Sequence, residues 1–219
     1  MKYLVFSFLL FISCSISKTN LNKLKSDLAE IYNSDQELRQ LIDGNTTKDK
    51  KSEIKKKYGL ENTAEKQLWN KISKNDSLNL IKIEGIIKEY GYPGKSLVGT
   101  PLNSTVFLVV QHSELPIIEK YFPIIKEAGK KGELSMTSVA MMEDRMLMYQ
   151  GKKQIYGTQV SGKKIIDSET QKESWEYFVW PIEDSENVNK RRKQIGFEES
   201  IEEYANNFGI KYTKRELEK

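Results

Sequence analysis

The chain has 219 residues, 38% hydrophobic and 30% charged, a balance that suits one domain of ordinary size with a packed core and excludes a polytopic membrane protein. Its 35 Lys and Arg against 31 Asp and Glu leave a net charge of only +4, too slight and too interspersed for the basic footprint that nucleic acid needs. One Cys and one His exclude a zinc finger, a Cys-ligated cluster and an intrachain disulfide, so no metal or other cofactor is expected.

Met1-Lys2, the ten apolar residues Tyr3 to Ile12 and the small residues Ser13-Cys14-Ser15 match the three parts of a secretory signal. The apolar stretch is too short to span a bilayer, which takes about 20 residues. Phe11-Ile12-Ser13-Cys14 resembles the lipobox of bacterial lipoproteins, with Phe11 where that family usually has Leu. The resemblance implies cleavage before Cys14, lipidation of its sulfur and acylation of the new amine. Ordinary cleavage after Ser15 or Ser17, or a structural segment, are the competing readings. Lipidation would consume a thiol otherwise left unpaired in an oxidising compartment, and two or more acyl chains anchor stably. The expected partner is therefore a membrane, reached through Cys14. Ser15-Ile16-Ser17-Lys18 lacks the acidic cluster that accompanies surface export in some lipoproteins, which favours a periplasm-facing envelope position.

Leu21, Leu24, Leu28 and Ile31 recur at helical spacing. Ser34-Asp35-Gln36-Glu37 reads as a capping box opening a second helix through Arg39 to Ile42, closed by Gly44-Asn45. The lysine-rich stretch 48–57 reads as a solvated helix face or loop, with contact to anionic headgroups as the sharper alternative. Thr63 is placed to cap a helix carrying Leu68, Trp69 and Ile72, and Asn75-Asp76-Ser77 to cap another carrying Leu80, Ile83, Ile87 and Tyr90, stopped by Gly91. Thr105–Val110 fits a buried strand or helix, and Asn103-Ser104 before it favour the helix. Leu115–Ala128 is amphipathic, with Pro116 in its first turn and a kink expected at Pro123.

Residues 135–149, capped by Ser135, carry five methionines; burial on more than one face explains them better than a methionine-lined groove. Gln154–Val160 and Trp175–Trp180 are rich in aromatic and β-branched residues and read as an antiparallel pair of strands. Short helices Asn187–Ile195 and Glu198–Phe208 close the chain. The expected fold is α+β and mainly helical, a single domain of about eight helices with a small antiparallel sheet at residues 153–181. Its division reads as signal peptide 1–13, lipidated tether 14–20, N-terminal helical segment 21–62, main domain 63–209 and tail 210–219.

Several polar residues sit where packing would not place them. Gln111-His112 follows an apolar run, Asp144-Arg145 interrupts the methionine helix, and Gln154-Ile155-Tyr156-Gly157-Thr158-Gln159 loads a strand with amides, a phenol and a hydroxyl. In a regular strand Gln154, Tyr156 and Thr158 share one face, and Gly157 weakens it unless a bend or a close neighbour uses the missing side chain. The order Gly91-Tyr92-Pro93, Gln111-His112, Asp144-Arg145, Gln154 to Gln159, Arg191-Arg192 and Gly196, with Asp35-Gln36 and Arg39 before it, resembles the bacterial domain-of-unknown-function family numbered 6624. The likeness covers roughly residues 30–205, with Tyr92 where Trp is common. It implies no activity, but it implies that these polar residues belong together.

Three functions follow as expectations. The first is a cleft for a polar small molecule or glycan, lined by Gln111, Gln154, Tyr156 and Gln159 with Asp35 and Arg39. The second is a hydrolase or transferase with His112 as general base, Asp144 orienting it and Arg145 stabilising an anionic intermediate. The third is a structural or partner-binding lipoprotein in which Asp144 pairs with Arg145 or Arg39 and His112 caps a helix end. GxSxG, Walker, GxGxxG and HExxH motifs are absent, and no carboxylate pair stands out for glycoside hydrolysis. Arg191-Arg192 with Lys190 and Lys193 reads as a solvated face with one structural salt bridge.

Overall fold

The computed structural model describes residues 16–166, 168 and 171–217; the leader and Cys14 lie outside them. Among the described residues the chain is α+β and mainly helical, with nine α-helices and one two-stranded antiparallel sheet. Two long helices form its spine: α1, Lys18–Gln40, and α3, Glu65–Tyr90, with α2, Lys48–Lys57, between them. Cross-links Glu30–Lys82, Ser34–Asn79 and Arg39–Asp76 run in opposite directions along the two long helices, so they pack antiparallel.

Both long helices correct the sequence reading, which broke each in two. Ser34 does not cap. It lies within α1, donates to the Ile31 carbonyl (3.1 Å) and accepts from Asn79 Nδ2 (3.2 Å). The buried stripe Leu24, Leu28, Ile31, Asp35, Leu38 has unbroken helical spacing, and the burial of that stripe outweighs the local preference of Ser and Asp for caps. In α3, Asn75-Asp76-Ser77 are likewise interior, and Ala64 rather than Thr63 stands at the N-cap. α2 is the solvated helix that its lysines suggested, capped by Thr47 with Ile54 its buried residue.

A cap of short helices covers the spine. α4 is Lys95–Val98, and a 3₁₀ turn at Leu102–Ser104 leads into α5, Thr105–Val110. α5 is buried along nearly its whole length, which explains its unbroken run of apolar residues. α6, Leu115–Lys130, runs through an exposed Pro123 and pairs with α7, Met136–Tyr149. Met142 is fully buried, and Met136, Met141 and Met146 pack against the same principal core, so these methionines fill space rather than line a groove. That core gathers side chains from α1 and from α3 to α7. A smaller cluster centres on Leu38, Ile54 and Leu68, where α2 meets α1 and α3.

The sheet pairs β1, Val160–Ile166, with β2, Glu173–Val179, in a register that sets Val160 opposite Val179 and Lys164 opposite Trp175. Gln154–Gln159, expected in the first strand, is instead a loop, for reasons given below. α8, Val188–Ile195, and α9, Ile201–Asn206, pack under the base of the hairpin around Val179, Ile182, Val188 and Ile201. Both start later than expected. α9 opens with the reciprocal cap of Ser200 and Glu203, and α8 ends on Gly196 at φ +104°.

Candidate functional site

The polar residues singled out in the sequence form two clusters, back to back across α7. The first centres on Asp144, which is fully buried. Its carboxylate accepts from the backbone N–H of Ile155 (2.7 Å), Tyr156 (3.0 Å) and Thr158 (3.0 Å) and from the Thr158 hydroxyl (3.0 Å). Converging N–H groups forbid a flat strand, so the chain from Gln154 to Gln159 curls around the carboxylate. Burial pushes the Asp144 carboxyl up, and the four donors pull against it by favouring the ionised form.

Gln154 closes the same loop. Its Nε2 donates to the carbonyls of Gln159 (3.0 Å) and Trp180 (2.7 Å), and its Oε1 accepts from Gln159 N–H (2.8 Å). Gln159 Nε2 donates to Thr158 Oγ1 (3.1 Å) and the Met141 carbonyl (3.3 Å). Gly157 adopts φ +74°, and a Cβ there would lie 2.5 Å from Ile201 Cδ1 and 2.8 Å from Ile182 Cδ1. It serves both a bend and a close approach.

From the other side, Arg192 is 1% exposed rather than part of a solvated face. It donates to the carbonyls of Tyr156 and Glu199 (2.9 Å each), with its guanidinium 4.7 Å from the Phe197 ring centre. Arg191 donates to the Ile155 carbonyl (3.0 Å) and pairs with Asp184. Asp144, Gln154 and Gln159 are thus sealed and satisfied, and Tyr156 joins them through its backbone. The roles proposed for Asp144 are corrected here: its oxygens are taken by the loop, so it neither orients His112 nor pairs with Arg145 or Arg39.

The second cluster lies where α5 ends beside α1 and α3. Arg39 donates to Asp35 (3.1 Å) and Asp76 (2.8 Å), and Gln36 Nε2 donates to Asp35 (2.7 Å). Asp35 is 1% exposed, and burial raises the Asp76 carboxyl even though Arg39 opposes this. Gln111 caps α5, and its carbonyl accepts from Arg145 Nη1 (3.0 Å). Arg145 Nε is buried with no hydrogen-bond partner among the described residues. Burial foremost, and the Arg39 charge, lower the Arg145 guanidinium, while the neighbouring Tyr149 hydroxyl favours its charged form.

His112 follows Gln111 and is half-buried. Burial, then the charges of Arg39 and Arg145, push its imidazole down to about 3, so it is neutral at physiological pH. It forms part of the wall of a concavity of about 330 Å³, with Asp76, Ser77 and Leu80 of α3 on one side and Ser113, Glu114 and Ile117 on the other. Concavities of about 450 and 550 Å³ lie elsewhere, along α1 and α3 and beside the hairpin, and carry none of the motif residues. Among the described residues no group of three or more His, Cys, Asp or Glu is placed to hold a metal.

The structure therefore brings Asp35, Arg39, the Gln111 backbone, His112 and Arg145 together, and gathers Asp144, Gln154, Tyr156 and Gln159 separately. Sequence reasoning missed Asp76, taken for a cap. Its signal was the periodicity Ile72, Asp76, Asn79, Ile83, which continues across the supposed helix boundary. Thr158 and Arg192 stand in the order of motifs that the resemblance ties together, but neither was singled out as a site residue, and Arg192 was read as solvated. No curated protein and no solved structure matches the chain. The model of the Family of unknown function (DUF6624) matches residues 23–214, a span that includes every residue of both clusters, and the chain belongs to that family.

Proposed function

We propose that this chain is a lipid-anchored protein of the bacterial cell envelope whose helical domain binds a small polar ligand at the concavity beside His112. One observation carries the binding reading. A neutral imidazole without a hydrogen-bond partner among the described residues faces an open concavity, held unprotonated first by burial and then by the charges of Arg39 and Arg145. Packing alone gives no reason to leave a histidine unbonded within reach of two positive charges. The anchor rests on the leader and on Ile12-Ser13-Cys14, and α1 begins at Lys18, so the tether to the membrane is short.

Binding fits better than catalysis. A general base works best with a pKa near the operating pH, and an imidazole held at about 3 is too weak a base for that task. The hydrolase reading also loses the carboxylate it assigned to orient His112.

Two measurements test the proposal. Mass spectrometry of the mature N-terminus is expected to find cleavage before Cys14 and acyl chains on it; a chain beginning after Ser15 or Ser17 sinks the anchor. His112 is the only histidine of the chain, so it gives one imidazole NMR signal. A screen of sugars, short peptides and carboxylates is expected to find a compound that moves this signal saturably and whose binding the His112→Gln variant weakens about 10-fold or more. If every compound that binds leaves the signal in place, the site is elsewhere.

A further inference from the structure

Net positive charge is concentrated in one helix. α2 holds six lysines against Asp49 and Glu53, a balance of +4 that equals the charge of the entire chain. Lys50 pairs with Glu53, and Lys57 with Glu37. Lys48, Lys51 and Lys55 make no ion pair among the described residues. Spacings of three and four residues put these three on one side of the helix, where like charges destabilise it. They line a concavity of about 560 Å³ whose other walls are Leu41, Ser52, Glu61 and Leu68. Glu61 is the carboxylate on that wall. Asp43 feels the charge of Lys51, but its oxygens accept from the Asn45 N–H and the Thr46 hydroxyl. Packing does not call for the lysines either, since α2 is held to the domain through Ile54.

We propose that this face of α2 docks on the anionic headgroups of a phospholipid bilayer; the proposal rests on the lipid anchor at Cys14, which keeps the helix beside that surface. α1 runs about 35 Å from the tether at Lys18 to the region of Leu38 and Leu41, where α2 packs. Contact at both ends lays α1 along the bilayer rather than upright on it. Attraction to an anionic leaflet accumulates lysine by lysine and fades within a Debye length, so an array of headgroups engages all three ammoniums while a single dissolved anion does not.

The test uses the full lipidated chain on vesicles of phosphatidylcholine, alone or mixed with phosphatidylglycerol, with flotation to score attachment. Acetylation of each lysine by an amine-reactive ester, read by mass spectrometry, scores contact, and the exposed Lys190 and Lys193 of α8 serve as internal references. Phosphatidylglycerol is expected to slow Lys48, Lys51 and Lys55 about 5-fold relative to phosphatidylcholine, to leave the references unchanged, and to lose its effect in about 1 M sodium chloride. Inorganic phosphate, added to the chain in detergent, is expected to leave all the rates alone. If it slows the three lysines as much as the vesicles do, the concavity takes a soluble phosphate and the bilayer assignment fails. A chain that floats on both vesicles with equal lysine rates overturns the docking and leaves the anchor standing. One that floats only with phosphatidylglycerol, its three lysines slowed, overturns the anchor and sustains the docking face. One that floats on neither overturns both.

Discussion

Asp144 and Arg145 are consecutive residues of one helix, and their surroundings are opposite. About 100° of rotation separates neighbours on a helix, which is enough to send them into different parts of the molecule. Asp144 meets four donors and is completely enclosed. Arg145 meets one carbonyl and a phenol and keeps a buried N–H without an acceptor. A polar group sealed with all its bonds made holds the fold together. One left incomplete, with a buried N–H that meets no acceptor, leaves bonding capacity unused.

The sharpest way to break this contrast is Asp144→Ala. It orphans three N–H groups and a hydroxyl inside the protein, and a loss of about 3–5 kcal/mol is expected in urea denaturation. A loss below about 1 kcal/mol would mean the loop does not depend on its carboxylate. Asp144→Asn is expected to cost nearly as much, because its amide sets new donors against the loop's own. Gly157→Ala comes next, at about 2–4 kcal/mol, since it combines a left-handed φ with contacts of 2.5 and 2.8 Å to Ile201 and Ile182. Gly196→Ala, at φ +104° but 3.7 Å from its nearest neighbour, isolates the backbone part and is expected to cost only about 1 kcal/mol.

The same contrast explains what the sequence could reveal. Helices with one apolar stripe and a terminal cap were legible: Ser135 opens α7 by accepting from Ser138 N–H, as its position implied. Ser34 and Asn75-Asp76-Ser77 misled because cap residues also serve inside long helices when another helix supplies their partners, here through Asn79 and Arg39. The hairpin was legible from its aromatic and β-branched residues, but its first strand began at Val160 and not Gln154. Composition records that Gln154–Gln159 is polar; it does not record that a carboxylate 10 residues upstream collects its N–H groups. The motif residues do gather in space. Their partition into two clusters was hidden, because the direction in which each neighbour on α7 points is decided by which elements pack on either side.

His112 offers the subtlest test, since its removal at neutral pH is expected to change stability by less than about 0.5 kcal/mol: its ring makes no hydrogen bond among the described residues. Acid exposes its environment. The folded imidazole titrates at about 3 against an ordinary 6.5, so between those values the unfolded chain binds a proton that the folded chain refuses. Stability attributable to His112 is thus intact above pH 6.5 and falls as the pH drops below it, by up to about 1.4 kcal/mol per pH unit. Compared in a buffer free of carboxylates, the parent and His112→Gln chains are expected to match at pH 7.5 and to diverge by about 2 kcal/mol at pH 5, with the parent the weaker. Parallel acid profiles would show that the imidazole is free to charge, and that Arg39 and Arg145 do not crowd it. Asp144 sits in the opposite surroundings, enclosed with its four donors in place.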